Sequence, residues 1–283
     1  MTPDVRDGVL VGSGLIIGAL GGAFAIRGFD WAAGGRREDD RREQEPAAPA
    51  PPARGDAGAP RPAAVVWFGP VSRAQIAGAS LGNLPLFVRS CTGDGKPSCS
   101  AIADSWKDAD GRRLPGLRRA LRLPAGPLVL AAFSAGGHLV WRLLEHPLDR
   151  AEVAGVALAD ATYTTRWVSQ GEAAPIASLV AYAQEVARDP SRLFLATAST
   201  APNKTHPTGA QTLEAIVRAA ELRPLEALPR LGNVPAPARS WGGGRTVLFL
   251  DFAATRSHAE HATDLAPALW GSFVKPRFQG AAA

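Results

Sequence analysis

The sequence predicts an α/β domain built on a mostly parallel, doubly wound sheet over residues 64–283, preceded by a membrane segment in 1–29 and an Ala/Pro-rich linker in 30–63. Three observations carry this. Short runs that are apolar throughout recur along the second part of the chain, helical patterns separate them, and turn residues bound them. Strands that are apolar on both faces and alternate with helices imply a parallel sheet covered on both sides.

Residues 8–26 carry no charge, and at ~1.5 Å per residue a helix of this length just crosses a hydrocarbon layer of ~30 Å. A single-pass transmembrane helix is therefore expected. Gly14, Gly18 and Gly22 recur every fourth residue and offer a smooth face for self-association. A cleaved signal peptide, with secretion of the rest, is the alternative, because Ala23 and Ala25 flank Phe24 as at a small-residue cleavage site. Against it, the first residues hold Asp4 and Asp7 beside the single Arg6, where a secretory signal begins basic. Arg27, Arg36 and Arg37 favour a cytoplasmic bulk, but neighbouring acids dilute that bias and leave the orientation open. The linker is charged, then Ala/Pro-rich; it buries too little apolar surface to fold and is expected to be a disordered, extended spacer.

The apolar runs at 64–68, 84–88, 127–132, 153–159, 193–196 and 246–250 read as buried strands. Candidate helices lie near 72–81, 114–122, 136–144, 176–188, 211–221 and 259–274. Residues 202–244 form a long insertion before the last strand. Such insertions either close over a site as lids or run over the surface with little function, and Trp241 is the residue in it expected to touch a ligand.

Composition narrows the function. Of 283 residues 46% are hydrophobic, ample for a packed core and incompatible with disorder throughout. The net charge of +5 comes from scattered arginines, many beside acids, and no basic stripe or aromatic platform marks a nucleic-acid surface. Cys91 and Cys99 flank a turn-rich gap that closes as a disulfide in an oxidising compartment and stays open in a reducing one. Two cysteines and mostly isolated histidines imply neither a metal centre nor a cofactor.

In a doubly wound sheet ligands bind beyond the carboxyl ends of the strands, so the residues just after each apolar run carry the chemistry. Ser134 follows the third run, Asp160 the fourth and Asp251 the last, with His258 and His261 close behind. Ala132, Phe133, Ser134, Ala135 and Gly136 approximate the Gly-x-Ser-x-Gly turn between strand and helix, with alanine in place of the first glycine. A serine hydroxyl needs a base to take its proton and an acid to orient that base, and the chain supplies them in the order Ser, Asp, His.

With this elbow, strand spacing and late histidine, residues 64–278 resemble the α/β-hydrolase superfamily. The resemblance implies a serine hydrolase that cleaves an ester or amide through an acyl-enzyme. Ser134 would be the nucleophile. In that family the acid most often follows the second strand after the elbow, where this chain has Ser199, Thr200 and Asn203 but no carboxylate. Some members take it one strand earlier, which designates Asp160. The histidine belongs in the loop after the last strand, which favours His258 over His261, and His138 should pack on the helix after the elbow. Ala135 supplies one oxyanion N–H. The second falls to Gly69 or Val71, since Pro70 has none. Acyl transfer would use the same residues. The alternative is a membrane-tethered structural or interaction protein of this fold that no longer catalyses, motivated by the departures at Ala132, Pro70 and the usual acid position.

Overall fold

The structure, a computed structural model, describes residues 62–69, 85–91, 98–162, 176–200, 207–226, 234, 236–243, 246–253 and 256–278. The expected membrane segment with Gly14, Gly18 and Gly22, nearly all of the linker, the helix at 72–81, Val71 and Asn203 lie outside them. Among the described residues no helix is long and apolar enough to cross a membrane.

Eight strands form one sheet: β1 (Ala64–Phe68), β2 (Leu86–Arg89), β3 (Leu128–Phe133), β4 (Val153–Ala159), β5 (Leu193–Ala198), β6 (Arg223–Pro224), β7 (Arg239–Gly243) and β8 (Val247–Asp251). Their spatial order is β2-β1-β3-β4-β5-β8-β7-β6. The first six in that order pair in parallel, and β7 and β6 close one side antiparallel. Every residue of β1, β3, β4, β5 and β8 is buried, as strands covered on both faces must be.

Six helices are described: α1 (Cys99–Ser105), α2 (Leu114–Leu121), α3 (Gly137–Leu143), α4 (Pro147–Ala151), α5 (Ala177–Arg188) and α6 (Gly209–Ala219). A C-terminal helix follows, in which π-type turns at His261–Leu265 and Trp270–Val274 alternate with α-helical turns at Ala266–Leu269 and Lys275–Phe278. Period-two alternation divides the core. Ala64, Val66 and Phe68 of β1 face the layer of α1, α2, α3, α5 and α6, whereas Val65 and Trp67 face the C-terminal helix.

Two expectations need correction. The stretch 202–244 is no simple excursion over the site, because α6, β6 and β7 all fall within it. Thr208 and Gln211 start α6 with a reciprocal capping box, which satisfies N–H groups that a helix start otherwise leaves open. Trp241 lies on one of these strands. It is buried in β7, with the Arg239 guanidinium 5.1 Å from its ring centre. The second concerns α1 and α4, too short to show a periodicity. Their starts explain them: Ser98 Oγ accepts from Ala101 N–H at 3.1 Å, and Pro147 occupies the first turn of α4, where a missing N–H costs nothing.

Cys91, just past β2, is joined by a disulfide to Cys99 at the start of α1, with 4.9 Å between their Cα atoms. The arginines of this region are largely ion-paired. Arg112 bridges Asp149 and Glu152, and Arg113 bridges Asp104 and Glu145.

Candidate active site

β3, β4 and β5 are adjacent parallel strands; the ends of β4 and β5 bring Asp160, Thr197 and Ser199 together, and Ser134 follows the end of β3. β3 is buried to its last residue, and Ser134 follows with φ of +55°. That left-handed conformation costs an L-residue about 1–2 kcal/mol, so the surrounding structure must impose it. Close packing does so. The chain turns from Ser134 through a tight 3₁₀ turn, Ser134–Gly136, straight into α3. A Cβ on Gly136 would lie 2.2 Å from the Phe68 carbonyl oxygen, and one on Gly137 only 1.8 Å from that of Ala161. Only glycine lets the turn cross the neighbouring strand ends so closely. Ala132, where the pattern has its first glycine, lies fully buried in β3, and its methyl is absorbed into the core.

Ser134 and Ala135 are half-buried. The Ala135 N–H stands in the first turn of the helical segment, whose leading N–H groups have no acceptor within the helix and favour developing negative charge. Of the two expected second donors, Gly69 is already engaged: its N–H donates to the Arg89 carbonyl at 3.1 Å. The other, Val71, is outside the described residues.

Asp160 ends β4, fully buried and with φ of +42°. Its N–H donates to both the carbonyl and Oγ1 of Thr197 on β5, at 3.0 and 3.2 Å. Among the described residues its carboxylate accepts from three donors. The Ser199 N–H reaches Oδ1 at 3.0 Å, and Oδ2 takes both the Ser199 hydroxyl at 2.6 Å and His258 Nδ1 at 2.8 Å. Burial alone pushes the Asp160 carboxyl upward, but hydrogen bonds from His258 and Ser199 and the nearness of His261 outweigh it and hold the group below the usual carboxylate range. Asp160 is thus ionised at neutral pH. A carboxylate can only accept, so His258 Nδ1 carries the hydrogen, and in the neutral ring Nε2 is left as the basic nitrogen.

The His258 ring stacks on Phe133, with centroids 4.6 Å apart and planes at 27°, which lays the imidazole over the residue that precedes Ser134. Its side chain is 37% exposed.

No protein-family model matches this chain. A search of curated proteins likewise finds no significant match.

His261, three residues on, is arranged differently. It is fully buried, Nδ1 lies 2.8 Å from Thr197 Oγ1, and the ring meets Phe252 edge-on at 5.8 Å. Burial pushes its pKa down to about 4, so it is neutral in ordinary buffers. Asp251 is also committed elsewhere: Arg239 grips its Oδ2 through Nε at 3.0 Å and Nη2 at 2.7 Å, and the Ala253 N–H donates to Oδ1. His138 is half-buried on α3 with its ring 5.7 Å from that of Trp141. Among the described residues no group of three potential metal ligands converges.

Of the residues singled out by sequence, then, the structure joins Asp160 to His258 and sets Ser134 at the end of the next strand, leaving His261 and Asp251 to other partners. Sequence reasoning missed Ser199, Thr197 and Phe133. Ser199 left one signal, as a hydroxyl at the strand end where an acid was sought.

Proposed function

We propose that this chain is a serine hydrolase of the α/β-hydrolase type that cleaves an ester or amide through an acyl-enzyme. The observation that carries the reading is the hydrogen bond of 2.8 Å between His258 Nδ1 and buried Asp160, beside a serine held at positive φ on the neighbouring strand end. Compatible with it are the mostly parallel sheet and its helical layers.

In this reaction His258 Nε2 takes the Ser134 hydroxyl proton as Oγ attacks the substrate carbonyl carbon. The tetrahedral oxyanion gains a donor in the Ala135 N–H, and Asp160 stabilises the imidazolium without taking its proton. Collapse expels the alcohol or amine, which receives the proton from Nε2 and leaves Ser134 acylated. Water then attacks the ester with His258 again as base, releasing the acid and restoring Ser134. A short-chain chromogenic ester, p-nitrophenyl butyrate, tests the reading. The parent should hydrolyse it, and Ser134→Ala should lose about 10³-fold or more in kcat. Equal hydrolysis by parent and variant would remove Ser134 from the reaction.

A further inference from the structure

An orienting acid needs one acceptor atom for one histidine, yet the Asp160 carboxylate is held at both oxygens. Among the described residues Ser199 holds it at both, its N–H on Oδ1 at 3.0 Å and its hydroxyl on Oδ2 at 2.6 Å. Two donors from one residue fix the plane of a carboxylate as well as its position, which one hydrogen bond does not. Ser199 is itself 1% exposed and anchored from behind, because its carbonyl accepts from the Ala210 N–H at 3.0 Å in the first turn of α6. The same helix start leaves the acid no room to retreat: a Cβ on Gly209 would lie 2.5 Å from Asp160 Oδ1. Asp160 is thus clamped between the end of β5 and the start of α6, and His258 meets a carboxylate that is already oriented.

We propose that Ser199 is a positioning residue, whose hydroxyl and amide fix the Asp160 carboxylate so that Oδ2 faces His258 Nδ1. The inference rests on the triad reading above for its catalytic consequence but not for its geometry. Ser199 acts through Asp160 and His258. Its place explains why β5 can end without a carboxylate: the acid stands one strand earlier, and the residue at the β5 end holds it there.

The test uses the full chain and two readouts. The first is the proton NMR signal of the His258 Nδ1–H, which a bond to a carboxylate shifts far downfield and slows in its exchange with water. This signal is expected in the parent and should vanish in Asp160→Asn and His258→Gln. In Ser199→Ala it should broaden several-fold by exchange with water. The second is hydrolysis of p-nitrophenyl butyrate, in which Ser199→Ala should lower kcat by about 10-fold with KM unchanged, the range seen when a partner that orients a functional side chain is removed. Ser199→Thr keeps both donors and should restore both readouts. Ser199→Cys keeps the volume with a weaker donor; it should fall between parent and alanine, and it serves if the alanine variant does not fold. A signal as sharp in folded Ser199→Ala as in the parent, or a parent with no such signal, overturns the proposal. A parent that shows the Ser199-dependent signal but hydrolyses no ester overturns the triad reading instead and supports the positioning role.

Discussion

His258 and His261 lie three residues apart at the start of one helical segment, and their surroundings give them opposite properties. His258 is partly exposed, stacked on Phe133 and bonded through Nδ1 to a buried carboxylate. His261 is fully buried against Thr197 and Phe252, and its Nε2 has no hydrogen-bond partner among the described residues. Only the first is both held by a carboxylate and reached by solvent. The other is kept neutral by burial. The two aspartates at strand ends repeat the contrast. Asp160 meets a histidine and a serine, while Asp251 meets the Arg239 guanidinium, whose fixed charge makes it a structural ion pair. Residue type and chain position nominate candidates, but the neighbouring strand decides which of them can do chemistry.

The comparison can be broken first at its functional end. His258→Gln should lower kcat for p-nitrophenyl butyrate by about 10³–10⁴-fold, whereas His261→Leu, which keeps the buried volume, should stay within about 10-fold of the parent. Equal losses in the two variants would erase the distinction. A smaller effect concerns stability. The folded His261 has its pKa lowered to about 4 from an ordinary value of 6.5. Above pH 6.5 both folded and unfolded forms are neutral and nothing is lost. As pH falls from 6.5 to 4 the unfolded chain binds a proton that the folded chain refuses, so stability declines through that window by on the order of 3 kcal/mol. Urea unfolding at pH 7 and pH 4.5 should therefore show a steeper acid loss in the parent than in His261→Leu. Parallel losses would show that His261 titrates normally in the fold.

Much of this fold is legible in the sequence, for a physical reason. β1, β3, β4, β5 and β8 are covered on both faces, so every residue in them except Asp251, the last of β8, is apolar or small, and the runs stand out. β7 escapes that signature, since Arg239 at its start is exposed while Ser240 and Trp241 are buried, leaving no apolar run to find. Trp241 draws attention by its place in the long insertion before the last strand; pairing of β7 with β8 buries it.

The candidate site is legible to the extent that its chemistry is local. Small residues around Ser134 mark the elbow, because the turn permits nothing larger where Gly136 and Gly137 cross the strand ends. The contact between Asp160 and His258 spans 98 residues, and chain order could nominate it without supplying its geometry. Ser199 is legible as a residue of that strand end but not in its role, because a serine there looks alike whether it faces solvent or holds a carboxylate. Gly69 shows the same limit: only the sheet reveals that its N–H is spent on Arg89.

The most direct test of the central claim is to find which atom a fluorophosphonate probe modifies, by mass spectrometry of peptides from the labelled full chain. A single adduct on Ser134, formed by the parent and by His261→Leu but slowed by about 10³-fold or more in His258→Gln, is the result this account predicts. An adduct on another residue, or labelling of Ser134 at the same rate without His258, would contradict it.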